Sequence, residues 1–280
     1  MKINLRAFLH RVITYPLLLP IMVLYNAVKD KRKVLDVFYL IRGFPHGYLK
    51  GNLRIAFYDD LVITFPFRED PPFDDLYLRN VYYPYTPEDD HVVIDVGAHM
   101  GFFTLKVAKK VKRVIAFEPD PINFRFLMFN IYLNRFQDKV LAYNLALGER
   151  NSQVYLDRSK YGLGRVRISD QGSLAVKVRT LDTLMNEMSE IERVDLLKID
   201  VEGYEYEVLQ GASKTIQKYR PELLIAAYHY PEEYLRIAEY CRKANYEVLY
   251  YYVPLFLSCG KEVYIYAKRR VTCSTSREWL

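Results

Sequence analysis

The chain has 280 residues, 51% of them hydrophobic and 26% charged, which allows the core of one large domain or two small ones and excludes a disordered chain. Its net charge of +6 is confined to residues 1–34, where Lys2, Arg6, Arg11, Lys29, Lys31, Arg32 and Lys33 face Asp30 alone; the balanced remainder excludes the basic face that a nucleic-acid partner needs. Three widely spaced cysteines, Cys241, Cys259 and Cys273, exclude a disulfide framework and a CxxC zinc knuckle, and suit a reducing, cytoplasmic compartment.

In chain order, residues 1–34 form a basic and apolar segment. Val12–Val28 is almost wholly apolar, with basic clusters on both sides. A bilayer span takes about 17–25 such residues, so the run sits at the lower limit. Pro16 and Pro20 would kink a helix, and the small-residue cleavage site of a secretory signal is lacking. Three readings fit: a segment held on the cytoplasmic face of a membrane by its Lys and Arg, a helix packed on the protein's own core, and a transmembrane anchor.

Residues 35–90 read as an extension. Leu53–Tyr58 and Leu61–Phe65 alternate as two short strands turned at Asp59-Asp60, and Pro66–Pro87 reads as loop with a short helix. Residues 91–270 then alternate between strand and helix patterns. Strands are expected at Val92–Val96, Val114–Phe117, Val140–Asn144, Leu196–Asp200, Leu223–Ala227, Glu247–Tyr252 and Val263–Ala267. Helices are expected at Phe102–Lys110, Pro121–Asn134, Tyr204–Gln210 and Pro231–Ala244, with Pro121 suited to a first turn. Such alternation implies an α/β fold, a parallel sheet with helices on both faces. Residues 150–180, with Gly162, Gly164, Gly172 and the β-like run Leu174–Val178, interrupt it as an inserted β-hairpin. Residues 271–280 are a tail.

In an open parallel sheet, ligands bind beyond the carboxyl ends of the strands. Asp95 falls near one such end and is followed by Gly97 and Gly101, where the chain turns tightly. Glu118 ends the next strand about twenty residues on, the place of an acid that hydrogen-bonds a ribose diol. Asp200 ends a later strand and is followed by Val-Glu202-Gly203. The NAD fingerprint is G-x-G-x-x-G; Gly97-Ala98-His99-Met-Gly101 lacks the middle glycine that admits a pyrophosphate. S-adenosylmethionine has no pyrophosphate, and its cationic sulfonium and amino groups suit an acid such as Asp95.

Three blocks now stand in register: Val-Ile-Asp95-Val-Gly97-Ala98-His99-Met-Gly101-Phe-Phe-Thr104, Ala-Phe-Glu118-Pro119-Asp120-Pro121, and Leu-Leu-Lys198-Ile-Asp200-Val-Glu202-Gly203-Tyr-Glu205. In order and spacing they resemble the FkbM family of methyltransferases over about residues 80–270. The resemblance implies a class I methyltransferase (Rossmann-like) fold with an antiparallel last strand, S-adenosylmethionine as cofactor, and O-methylation, often of sugar hydroxyls. It implies that Asp95, Gly97, Ala98, His99 and Gly101 surround the methionine end, that Glu118 with Pro119 holds the ribose, and that Asn144 with Ala146 lies near the adenine. His99 departs from the family, which usually has Asn there.

A neutral sugar hydroxyl is a poor nucleophile, and a general base or a metal helps it lose its proton. Asp200, Glu202 and Glu205 form one group of strand-end candidates and His229 another; Asp200, Glu202 and His229 are the catalytic candidates, and Asp200 is also a cofactor-binding candidate as a strand-end acid facing the cofactor. His229 stands in Ala227-Tyr-His229-Tyr-Pro231-Glu232-Glu233, which resembles a Tyr-His-x-Pro-Glu stretch of part of the family. The competing uses are structural: Glu202 as a helix cap, Glu205 as a solvated first-turn acid, His229 as a cap for the next helix, and Lys198 as the partner of a nearby acid. A divalent metal on Asp200 and Glu202 is not favoured, since two carboxylates alone do not make a Mg²⁺ site. The expected activity is methylation of a sugar or glycolipid hydroxyl. The rivals are a NAD- or nucleotide-sugar-dependent oxidoreductase and a non-catalytic, membrane-tethered binding module.

Overall fold

The computed structural model describes residues 48–50, 53–58, 60–66, 84–157, 167–168, 172–230, 232–254 and 261–269. Residues 1–34 and 271–280, most of Pro66–Pro87, Gly162, Gly164, Pro231, Cys259 and Cys273 lie outside that set, and the expectations resting on them stay expectations. No helix among the described residues is long and apolar enough to cross a membrane.

The central sheet follows from runs of apolar residues too short for helices. Its strands are β4 (Val92–Val96), β5 (Arg113–Phe117), β6 (Val140–Tyr143), β11 (Leu196–Ile199), β12 (Glu222–Ala226), β13 (Tyr246–Pro254) and β14 (Lys261–Arg269). They lie in the order β13-β14-β12-β11-β4-β5-β6. Pairing is parallel among β12, β11, β4, β5 and β6, and β14 runs antiparallel to both its neighbours. This is the mixed sheet of class I methyltransferases, with its antiparallel last strand. Chain order reverses between β4 and β11, and that switch point opens a crevice at their carboxyl ends.

Strand side chains alternate between faces, and the two faces have separate cores. Val93, Val114, Ala116, Leu196, Leu224 and Tyr266 pack toward one side, with α1 (Phe102–Ala108), α2 (Pro121–Leu133) and residues of β3 (Leu61–Pro66). Val92, Ile94, Ile115, Leu197, Ile225 and Ile265 pack toward the other. There they meet α3 (Leu181–Glu187), α4 (Glu205–Gly211), α5 (Ser213–Tyr219) and α6 (Glu233–Lys243). Cys241 lies in this second core, where burial pushes its thiol up to about 12. Pro121 opens α2, and the Asp120 carboxylate caps it by accepting from the backbone N–H groups of Ile122 and Asn123.

The insertion is larger than a hairpin. Beyond the antiparallel pair β8 (Ser152–Asp157) and β10 (Leu174–Arg179), it recruits β7 (Ala146–Leu147) and β9 (Arg167–Ile168) into a four-stranded sheet ordered β7-β10-β8-β9. β8 escaped the sequence because half of its residues are exposed and only Leu156 is buried, so apolar alternation is faint. Helices α3 and α5, of seven residues each, were not expected from the sequence.

Ahead of the core, β1 (Tyr48–Lys50), β2 (Leu53–Tyr58) and β3 form an antiparallel sheet. The outer edge of β3 is completed by a helix. Asn130 Oδ1 accepts from Thr64 N at 2.8 Å and from Thr64 Oγ1 at 2.7 Å, while its Nδ2 donates to Thr64 O and Met100 O. Asn134 accepts from Val62 N at 2.7 Å and donates to Val62 O at 2.6 Å. Four helical residues advance about 6 Å and two strand residues about 6.6 Å. Two asparagines one helical turn apart therefore match two alternate peptide groups of a strand.

Candidate active site

Beyond β4 the backbone enters the turn at Gly97, whose φ is +78°. The N–H groups of Gly97 and Ala98 both donate to Phe117 O at 3.0 Å, tying the turn to the end of β5. A Cβ at Gly97 would stand 1.8 Å from the backbone oxygen of Asp200. Gly97 is thus required because the ends of β4 and β11 nearly touch at the switch point. Gly101, at φ +91°, leads into α1, and a Cβ there would meet the Leu127 side chain at 2.7 Å. The Ala98 methyl is buried in the core.

Asp95 sits behind this turn. Strand alternation sends its side chain to the α1 face, where it is wholly buried. One carboxylate oxygen accepts from Thr104 Oγ1 at 2.6 Å, and the other lies 3.0 Å from Lys198 Nζ. Lys198 also donates to Gly97 O at 3.0 Å. Burial alone would discharge Lys198; the charges of Asp95 and Asp200 outweigh it and hold the ammonium above the ordinary lysine range. Sequence placed Asp95 against the methionine end of a cofactor; in the structure its oxygens face Lys198 and Thr104, and it braces the turn from beneath.

Glu118 ends β5 at the crevice. Oε2 accepts from His99 N at 2.8 Å and Oε1 from Asp120 N at 2.9 Å. Burial raises this carboxyl to about 7, against the smaller opposing pull of those two N–H donors. Asn144 donates to the carbonyls of Glu118 and Pro119 at 2.9 and 3.0 Å, which fixes the backbone between β5 and α2. His99 has φ +53° and its ring stacks 6.0 Å from Phe102. Asn tolerates positive φ readily, and His is among the few other residues enriched there, so the departure from the family at this position keeps the backbone geometry. Glu118, His99, Pro119 and Asn144 thus form one group.

The second group lies beyond β11 and β12. Positive φ at Glu202 (+59°) and Gly203 (+103°) turns the Glu202 carboxylate back toward His229. Its Oε2 is 3.4 Å from His229 Nε2, and Asp200 Oδ1 is 3.8 Å from the same nitrogen. On the other side of the ring, Glu205 Oε1 lies 3.0 Å from Nδ1. Glu205 is wholly buried and also accepts from Val201 N and Gly203 N. One carboxylate therefore shapes the loop and orients the ring. Burial would lower the affinity of His229 for its proton; Glu205, Asp200 and Glu202 together overcome that and raise it to about 9. Glu233, at the start of α6, is raised to about 8 by burial and by Glu205, whose own carboxyl is held low by His229.

The three catalytic candidates Asp200, Glu202 and His229 therefore converge, and Gly97 joins their group to the Glu118 group through its contact with Asp200. Of the two sequence readings of Glu205, a site acid and a solvated first-turn acid, its backbone bonds and full burial exclude the second. Its spacing from Gly203, two residues, was the available signal. Glu233 carried none, because only the fold brings it to Glu205.

Comparison with known proteins supports the same region. The sequence profile of the Methyltransferase FkbM domain matches residues 95–248, more than half of the chain. Hexuronic acid methyltransferase AglP of Haloferax volcanii is 31% identical over 131 residues, covering 46% of this chain and 53% of that protein. Methyltransferase 1 of Beauveria bassiana is 29% identical over 147 residues, covering 44% of this chain and 59% of that protein. The chain thus spans between half and three fifths of the length of these two relatives. Among solved structures, the methyltransferase FkbM of Methylobacillus flagellatus KT has a TM-score of 0.52 at 21% identity, covering 70% of this chain and 48% of that one; this likeness concerns the fold. With the family's profile running from Asp95 at the end of β4 through Glu118 and the Asp200–Glu205 loop, the chain belongs to the FkbM methyltransferase domain family.

Proposed function

We propose that this protein transfers a methyl group from S-adenosylmethionine to a hydroxyl oxygen of a sugar in a glycan or glycolipid. The observation that carries the first half is Glu118: a buried carboxylate at the end of β5, beside the glycine turn and at the switch point, where a ribose diol would be held. Its present donors are the backbone N–H groups of His99 and Asp120, so one face of the carboxylate is preorganised. Support for the second half is the hexuronic acid methyltransferase among the relatives.

When bound, S-adenosylmethionine supplies an electrophilic methyl on a sulfonium, open to in-line displacement. Glu118, with its backbone fixed by Asn144, would hold the ribose end. The turn at Gly97, braced by Lys198 and Asp95, would set the depth of the methionine end. Alignment of acceptor and methyl then supplies much of the rate. Asp200 and Glu202, whose side chains keep about a fifth of their surface exposed, would face the acceptor hydroxyl. His229, charged at neutral pH while three carboxylates surround it, is poorly suited to accept the hydroxyl's proton and would act by holding Glu202 and Asp200 in place.

Isothermal titration of the purified protein with S-adenosylmethionine tests the donor: a single saturable site is expected, and a folded protein that takes up none at millimolar cofactor sinks the proposal. Mass spectrometry of glycans from cells with and without the protein tests the acceptor, the expected result being one methyl group's mass difference on a sugar. For residues 1–34, fractionation of the full-length protein against one lacking residues 1–30 is the test, with membrane retention expected only for the former.

A further inference from the structure

Glu205 and Glu233 open two helices that pack together, α4 and α6. Both residues are buried, and their carboxyls face one another within hydrogen-bonding reach. Glu205 Oε1 accepts from Val201 N at 2.9 Å and from Gly203 N at 3.2 Å, and it lies 3.0 Å from His229 Nδ1. Glu205 Oε2 and Glu233 Oε2 are placed differently. Both atoms are shut off from solvent, and among the described residues neither has an N–H or O–H donor. Two bare carboxylate oxygens in a core are costly through lost hydration and through mutual repulsion.

One proton between the two oxygens removes both costs. Its carrier follows from the surroundings: the two N–H groups and the imidazolium at Oε1 favour an ionised Glu205, so the proton falls to Glu233. We propose that Glu233 is the protonated member of a carboxylic acid–carboxylate pair, that it donates its hydrogen bond to Glu205 Oε2, and that it is thereby a positioning residue of the candidate site. The raised value of Glu233, about 8, agrees with this. The ionisable groups that act on it are Glu205 from α4 and His229 from beyond β12. Tyr206 on α4 and Tyr250 on β13 meet Tyr240, Arg236 and Tyr234 of α6 instead, and β14 offers this face Ile265 and Ala267. Glu205 holds both the Val201–Gly203 backbone and the His229 ring, so the proton on Glu233 secures the loop that carries Asp200 and Glu202. For its use in catalysis the inference rests on the methyl-transfer reading, in which those two acids face the acceptor. Once the proton is lost, two negative charges meet behind His229 and the loop loses its anchor.

The test is guanidinium unfolding of the full chain at a series of pH values, with Glu233→Gln and Glu233→Ala. The glutamine amide donates the same hydrogen bond and does not titrate; alanine donates none. Between the ordinary glutamate value and about 8, the folded wild type holds a proton that the unfolded chain has released. Relative to Glu233→Gln, its unfolding equilibrium constant is therefore expected to rise about tenfold per pH unit across that window. The stabilisation is complete below the ordinary glutamate value and gone above about 8. The amide resonances of Val201 and Gly203 are expected to step with a midpoint near 8 in the wild type, a step absent from Glu233→Gln. In Glu233→Ala they are expected to be displaced at every pH. Equal pH slopes in the wild type and Glu233→Gln overturn the protonated Glu233. A wild-type slope with Val201 and Gly203 unmoved in Glu233→Ala overturns its hold on the loop. If Glu233→Ala fails to fold, the wild-type step decides that point, and its absence overturns the hold. S-adenosylmethionine is titrated in parallel at neutral pH: no binding, with slope and step as expected, overturns the donor reading and leaves the pair standing.

Discussion

Asp95 and Lys198 are register partners on adjacent parallel strands, and their charged groups meet at 3.0 Å inside the α1 face of the sheet. The pair is buried on both sides, so its worth lies in the cost of breaking it. Removing one partner of a buried pair typically costs about 3–5 kcal/mol, because the survivor's charge is stranded. Lys198→Met is expected to lower stability by that amount in guanidinium titration, and Lys198→Met with Asp95→Asn to recover part of it. A single-variant loss below about 1 kcal/mol would show that water or another group takes over.

Glu118 gives a pH dependence with a definite sign. A ribose diol donates hydrogen bonds, so it needs the ionised carboxylate, and this carboxyl is raised to about 7. Affinity for methylthioadenosine, which has the ribose without the titrating amino acid, is expected to rise about tenfold from pH 6 to pH 8, as the ionised fraction does. Calorimetry across that range should show the slope in the wild type and none in Glu118→Gln; a flat wild-type profile contradicts the assignment. For folding without ligand the sign reverses. The native carboxyl holds its proton more tightly than the unfolded one, so its stabilising contribution is full below the ordinary glutamate value and disappears as pH rises through about 7.

Much of this frame was legible in the sequence, for identifiable reasons. β4 and β5 are short apolar runs ending in an acid or a glycine, and buried parallel strands must look so. The Gly97–Gly101 turn was legible because positive φ selects glycine. Asp95 lies near its strand's end as expected, but its buried partner Lys198 was not legible, because only the register of β4 with β11 brings the two together. Glu205 stayed open between a site acid and a solvated first-turn acid, because only the fold buries it. The cluster around His229 joins residues from two strand ends and a later helix, a juxtaposition that no local pattern encodes.

Gly97 and Gly101 should differ in their tolerance of a methyl group. Both have positive φ, which costs a non-glycine residue about 1–2 kcal/mol. At Gly97 the obstacle is the Asp200 backbone, which can move only if β11 moves; at Gly101 it is the tip of Leu127. Gly97→Ala is therefore expected to lower the melting temperature more than Gly101→Ala. Leu127→Ala should soften the second substitution, and no side-chain truncation should rescue the first. Equal losses in the two alanine variants would count against backbone contact as the cause.

Asn130→Leu would strand Thr64 N, Thr64 O and Met100 O, each buried group costing about 1–3 kcal/mol. Hydrogen exchange should show Val62 and Thr64 losing protection in that variant while the amides of β4 keep theirs. Unchanged protection at Thr64 would mean that β3 holds its place by apolar packing alone.

The Asn130–Asn134 ladder has a consequence for how the molecule meets its neighbours. An uncovered edge strand is a template on which another chain can add a strand. Here the hydrogen-bonding groups of Val62 and Thr64 are already taken by side chains of α2, which cannot in turn offer a further strand edge. The ladder thus ends the small sheet as a wall does, between Leu61 and the strand's closing Pro66. Loss of either asparagine would expose a sticky margin as well as weaken the fold, with self-association as its visible symptom.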